Sequence, residues 1–311
     1  MSTPPLIKII RCGNLILIAL TMAITRYGLL IPGLKKINPN TASQLSNLEF
    51  VLLVCSTLLI AAAGYIINDY FDVKTDRINK PEKVVIDHGL NRRLAMLIHI
   101  QFNLAGLFLG VYVAHCAGHI FLGLIPFSAI NLLWFYSTHF KRQLISGNIV
   151  VSLLTAFIPI QVLLFDPIIS LHAEDLMFLI ETIFFLSVFA FLLSLAREII
   201  KDMEDLEGDR ETKCMTIPVR WGLPTAKAIV IGIVTHVLLL ISITLFYLQK
   251  MQLYILIAYL ILLVLLPTFF LIYKVYKAQS KREFYVVSQF LKFIMAAGVV
   301  GVILMHYKPV F

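Results

Sequence analysis

A chain of 311 residues that is 59% hydrophobic, only 14% charged and of net charge +8 has a mean hydropathy of +0.89. These values exclude an ordinary soluble domain. The excess of base calls for no nucleic acid, because topology signals and anionic lipid headgroups account for it.

In chain order, nine apolar stretches approach the roughly 20 residues that cross a bilayer. They cover about 12–32, 49–67, 94–113, 119–137, 147–165, 176–196, 224–247, 252–273 and 286–305. The first carries Arg26, lacks a small-residue cleavage pattern and is followed by more spans, so it reads as a transmembrane helix and not a removable signal. Cys12, Cys55, Cys116 and Cys214 are scattered, which argues against a disulfide framework and a thiolate metal site. No hydrophilic stretch is long enough for a second domain. The expectation is one all-α polytopic membrane domain over residues 1–311.

Orientation follows from the basic residues. The N-terminus and the loops after spans two, four, six and eight hold 20 of the 26 Lys and Arg. Lys35, Lys36, Lys250 and Lys308 fall on the other side, and Arg26 and Lys292 within spans. The first set should be cytoplasmic, which suits an inner or plasma membrane, with the two termini on opposite sides.

Two acid-rich stretches end apolar spans on that same side. In the first, Asn68, Asp72 and Asp76 are spaced i, i+4, i+8 and stack on one helical face. In the second, Asp202, Asp205 and Asp209 are spaced i, i+3, i+7, with Glu198 one turn earlier; Glu204 and Glu207 point elsewhere, toward water. Their position, each after an even-numbered span, suggests a weak internal duplication. Carboxylates gathered at a membrane edge repel one another unless a cation sits between them. Mg²⁺ suits several hard oxygens and commonly holds phosphate as well. Asn68, Asp72, Asp76, Asp202, Asp205 and Asp209 are therefore the candidate metal ligands, with Asp72, Asp76, Asp202 and Asp205 central to catalysis. Arg77, Lys80, Lys141, Arg142, Arg197, Lys201 and Arg210 are candidate phosphate grips.

These motifs resemble those of the UbiA-type intramembrane prenyltransferases. Asn68, Asp69, Asp72 and Asp76 match the family's Asn-Asp-x-x-Asp-x-x-x-Asp, and Lys201 to Asp209 its second aspartate-rich motif. Arg11 and Asn14, the run from Tyr136 and Ser137 to Lys141 and Arg142, Gly147 with Asn148, and the stretch from Thr216 to Gly222 extend the match over nearly the whole chain. The resemblance implies nine helices around a central cavity open to the cytoplasm and to lipid. It further implies Mg²⁺-dependent transfer of a prenyl group from a prenyl diphosphate to a lipid-soluble or membrane-surface acceptor, with Asn14, Arg77, Lys141, Arg142 and Lys201 binding substrate. The form of the second motif is most similar to the geranylgeranylglyceryl phosphate geranylgeranyltransferase branch. A quinone-pathway enzyme acting on an aromatic ring is the alternative within the family. A cation transporter, with acids near the bilayer midplane, and a CDP-alcohol phosphatidyltransferase are the alternatives outside it. The 22 Phe and 12 Tyr can shield an allylic cation, although most such rings face lipid or pack between helices.

Overall fold

The computed structural model describes residues 5–37, 45–87, 89–166 and 173–306; Lys308 and the side chain of Lys83 lie outside what is described. Among the described residues nine helices are long and apolar enough to cross a membrane, and β-structure is limited to one isolated bridge between Ile86 and Leu90. The helices are α1 (Cys12–Ile37), α2 (Asn47–Asn79), α3 (Arg92–Cys116), α4 (Ile120–Thr138), α5 (Ser146–Phe165), α6 (Met177–Glu204), α7 (Ile217–Lys250), α8 (Tyr254–Lys277) and α9 (Lys281–Met305). The chain is an all-α integral membrane protein.

Each expected span is present, and two outrun their apolar stretch in a way that matters. α2 continues past residue 67 to Asn79, and α6 past residue 196 to Glu204. α2 starts in a capping box, in which the Glu49 N–H donates to Ser46 Oγ at 3.2 Å and the Ser46 N–H donates to Glu49 Oε2 at 2.6 Å. It stops where Pro81, with no N–H to give, opens a short 3₁₀ turn. Its 33 residues span about 50 Å, more than the roughly 30 Å hydrocarbon core. The acid motif therefore rides on a helical extension beyond the apolar stretch.

Side-chain contacts bring the helix ends of one side together. Arg11, before α1, reaches Asp69 on α2 at 2.6 Å. Lys141, after α4, reaches Asp72. Asn148 of α5 donates to Asp202 of α6 at 2.7 Å, and Lys281 of α9 donates to the Asn79 carbonyl. Away from this end, α2 and α3 approach closely at Gly106 and Gly110. Ser56 Oγ donates to the Gly106 carbonyl at 2.6 Å, and a Cβ on Gly110 would lie 2.9 Å from Ser56 Oγ. Small residues permit such backbone approach where lipid gives helices no hydrophobic reason to associate. Two of the apolar cores are large. One, around Ile199, Val234, Leu271 and Leu291, packs α6 to α9. The other, around Met22, Phe50, Val113, Phe165 and Ile183, packs α1, α2, α3, α5 and α6.

One device locks the second acid stretch to the first. The helix breaks at Asp205 (φ −99°, ψ 11°) and resumes as the short helix Leu206–Glu211. Asn79 Nδ2 donates to the Asp205 carbonyl at 3.0 Å, and the Gly208 N–H donates to Asn79 Oδ1 at 2.9 Å. Buried Asn79 so approaches Gly208 that an added Cβ would stand 2.4 Å from its Nδ2. Gly208→Ala should therefore displace Asn79 and destabilise this end by about 1–3 kcal/mol. Thermal unfolding in detergent should show a lowered midpoint, and an unchanged midpoint would refute the clamp.

Candidate active site

A cavity of about 960 Å³ runs through the bundle. Its charged end holds Asp69, Asp72, Asp76, Asp202, Asp205 and Lys141. Its other end is lined by Leu248, Leu256, Leu260, Val264, Val302 and Met305. The contrast follows from the helices that form it: α2 and α6 bring their polar extensions to one end, while α7, α8 and α9 offer apolar turns to the other.

The first motif is organised around Asp72. Its Oδ2 accepts from Asn68 Nδ2 at 2.7 Å and from Lys141 Nζ. Burial works to lower the Lys141 ammonium's affinity for its proton, but Asp72, together with Tyr136 and Asp76, outweighs that and holds it well above the ordinary lysine range. Asp69 turns to Arg11, which also lies over the Tyr65 ring at 5.0 Å. The Arg11 backbone is left-handed at φ 54°. That conformation is uncommon for a residue with a Cβ, and the ion pair with Asp69 anchors it. Asp76 lines the cavity one turn on.

The second motif departs from a single acidic face. Asp202 lines the cavity and takes the Asn148 amide. Asp205, at the helix break, takes Lys80 at 2.7 Å. Asp209, carried on the short helix, accepts from Thr216 Oγ1 at 3.3 Å and lies behind the wall, with 4% of its surface exposed. Burial lifts its carboxyl to about 6, with Lys141 opposing and Asp205 reinforcing the rise. Glu204, expected to face water, is buried on Lys80 at 2.8 Å. The reason is the extension of α2, which delivers Lys80 over the end of α6. Glu207, on the short helix, is exposed, as expected. Glu198 is no bare extension of the acidic face, since Lys201 Nζ at 3.0 Å and Arg197 Nη1 at 3.3 Å both hold it.

Of the expected substrate-binding residues, Asn14, Lys141 and Lys201 line the cavity and Arg77 and Arg142 do not. Successive residues on a helix are rotated by about 100°, so Arg77 leaves the face that Asp76 occupies. It meets Asp87 at 3.4 Å, an acid that Arg92 also holds. Arg142 points outward from the tight turn Phe140–Arg142, while its carbonyl accepts from the Met215 N–H. Arg210 is exposed. Sequence reasoning gave Lys292 no role. It lines the cavity from within α9 and donates to Asn14 Oδ1 at 2.6 Å. A lysine deep in an apolar span is itself a signal of function.

Among the described residues no group of three or more His, Cys, Asp or Glu is gathered tightly enough to hold a metal by itself. Asp69, Asp72, Asp202 and Asp205 are engaged by lysines, an arginine and amides. The donor set nevertheless fits a hard cation that also binds phosphate. Asn68 Oδ1 is buried with no hydrogen-bond partner, while the same amide's nitrogen is used on Asp72. An orphaned buried carbonyl oxygen beside a carboxylate is what a hard divalent ion would satisfy.

Residues 39–295 match the model of the UbiA prenyltransferase family. The chain belongs to that family. A digeranylgeranylglyceryl phosphate synthase of Methanosphaera stadtmanae is 28% identical over 82% of this chain and 87% of its own length. The solved structure of a digeranylgeranylglyceryl phosphate synthase superposes with a TM-score of 0.61 at 23% identity, covering 96% of this chain and 98% of that one. A UbiA homologue from Archaeoglobus fulgidus, solved bound to GPP and Mg²⁺, superposes with a TM-score of 0.62 at 16% identity, covering 96% and 99%. Those likenesses establish the UbiA fold, and family membership makes the chain a prenyltransferase and sets aside the transporter and the phosphatidyltransferase.

In this prenyltransferase, Asp72→Ala and Asp202→Ala should each lower prenyl transfer by about 100- to 1,000-fold. Arg77→Ala, whose side chain lies outside the cavity, should leave transfer nearly unchanged. Turnover of a prenyl diphosphate in detergent, with folding followed by thermal melting, measures both; near-normal Asp72→Ala activity would remove the first motif from the reaction.

Proposed function

We propose that the protein transfers a prenyl group from a prenyl diphosphate to the hydroxyl of geranylgeranylglyceryl phosphate, forming an ether. The observation that carries this is the cavity itself, with acids and bases at one end and an apolar interior at the other. The name shared by its archaeal relatives supports the acceptor.

Asn68, Asp72 and Asp76 from one side and Asp202 and Asp205 from the other would hold Mg²⁺, with Asp209 behind them. When bound, Mg²⁺ supplies Lewis-acid neutralisation of the diphosphate oxygens. Lys141 and Lys80 sit among those acids and can move from carboxylate to phosphate oxygen as the diphosphate enters. The prenyl C1–O bond breaks and the diphosphate leaves with the electron pair. C1 then bonds to the acceptor oxygen, and the hydroxyl proton passes to a diphosphate oxygen. Tyr65, Tyr136 and Phe189 line the cavity, where their ring faces can stabilise the allylic cation and the apolar wall keeps water from it. The prenyl tail lies toward Leu248 and Leu256.

The discriminating experiment offers the purified protein a prenyl diphosphate with either geranylgeranylglyceryl phosphate or a hydroxylated aromatic acid, with Mg²⁺ and with chelator. The expected outcome is a Mg²⁺-dependent ether product from the glycerophosphate. Alkylation of the aromatic ring alone would assign the protein to the quinone pathway.

The charged end is proposed to face the cytoplasm, on the strength of the basic-residue bias. In a background lacking the native cysteines, a cysteine at Lys213 should react with an impermeant reagent only after permeabilisation. Cys116, restored alone at the far end of α3, should react from outside. The reverse pattern would invert the topology.

A further inference from the structure

The cavity face of α9 changes character along its length. Tyr285, Ser288, Gln289 and Lys292 follow the i, i+3, i+4, i+7 spacing of one helical stripe, and all line the cavity. The same stripe continues as Met295, Val299 and Val302, which also line it. Lys292 is thus the last polar group of that stripe. It stands 11 residues from Lys281, about 16 Å along the helix.

Its partner is unusual for this site. Arg11 has Asp69, Lys141 has Asp72, Lys80 has Glu204 and Asp205, and Arg197 and Lys201 share Glu198. Lys292 is held by the neutral amide oxygen of Asn14 at 2.6 Å. The amide aims the ammonium without cancelling its charge. A lysine kept in a membrane interior with its charge uncancelled is placed to meet an anion brought by a ligand. Neither α1 nor α9 contributes to the acid motifs that the donor diphosphate requires.

We infer that Lys292, positioned by Asn14, binds the phosphate of the acceptor and makes the enzyme specific for a phosphorylated glycerol lipid. The inference rests on the function proposed above and names the group that recognises its acceptor. The phosphate sits at the polar end of the α9 stripe. The acceptor's alkyl chain follows the apolar continuation of that stripe, and its hydroxyl faces the donor's C1.

The test is steady-state kinetics with geranylgeranylglyceryl phosphate and with its phosphate-free counterpart, geranylgeranylglycerol, on wild-type protein and the Lys292→Met, Lys292→Arg and Asn14→Asp variants. Lys292→Met should raise KM for the phosphorylated acceptor about 10- to 100-fold, as expected for loss of a charged hydrogen bond. The KM for prenyl diphosphate should not move, and the weaker use of geranylgeranylglycerol should be the same as in wild type. Lys292→Arg should recover much of the loss. Asn14→Asp keeps the lysine but ties its charge to a carboxylate, so it should raise the same KM even if Lys292→Met does not fold. Equal loss on both acceptors, or a raised KM for prenyl diphosphate, overturns the assignment while leaving the proposed reaction intact. Ether formation by the wild type with neither acceptor overturns the proposed reaction, and this inference with it.

Discussion

Carboxylates concentrated at the edge of a membrane repel one another, and this repulsion governs the arrangement of the bundle's charged end. Bringing α2 and α6 together places Asp69, Asp72, Asp76, Asp202, Glu204 and Asp205 around one space. The structure answers with cations drawn from separate parts of the chain. Arg11 comes from ahead of α1, Lys141 from the turn after α4, and Lys80 from the end of α2. Each ion pair is therefore also a tie between helices. The Asn79–Gly208 clamp adds a charge-free tie in the same place. The site and the packing of this end are the same set of contacts.

That arrangement also makes the site responsive. A lysine resting on a carboxylate is poised between two anions when a phosphate-bearing ligand arrives, and Lys141 on Asp72 is the clearest instance. The neighbouring Asn68 oxygen has no protein partner. These features give the charged end capacity for a diphosphate and a hard cation together. The apolar end supplies the complementary property. An allylic cation survives where water is excluded, and the wall from Leu248 to Met305 excludes it.

The helical extensions explain how a membrane protein carries so polar a site. The lipid-spanning parts of α2 and α6 need only apolar residues. The chemistry is placed on the turns that continue beyond, where charged groups are less penalised than at the bilayer centre. Lys292 and Arg26 are exceptions, both within spans. Arg26 is stacked at 4.6 Å over Phe50 and donates to the Leu45 carbonyl, which accounts for it as a packing element.

The sequence by itself determined the nine spans, their alternation and the two acid stretches on one side. Hydrophobic length and charge bias are local quantities that survive without a fold. It also yielded Asn68, Asp72, Asp76, Asp202 and Asp205 as cavity groups, because i, i+3 and i+4 spacing on a helix is fixed geometry. The helix breaks at Asp205, and the fixed spacing ends there. Asp209 moved behind the wall, because a change in one residue's φ and ψ redirects everything after it. Glu204, ahead of the break, became buried because the extended α2 brings Lys80 over it. Adjacent basic residues also separated: Lys141 faces the cavity and Arg142 leaves it, because the 3₁₀ turn Phe140–Arg142 swings successive side chains about 120° apart. Only the tertiary structure decided that Lys80 neutralises Glu204, that Arg11 reaches Asp69, and that Lys292 meets Asn14 across 278 residues of chain. Such pairings depend on which helices become neighbours, and neighbourhood in space is not written in spacing along the sequence.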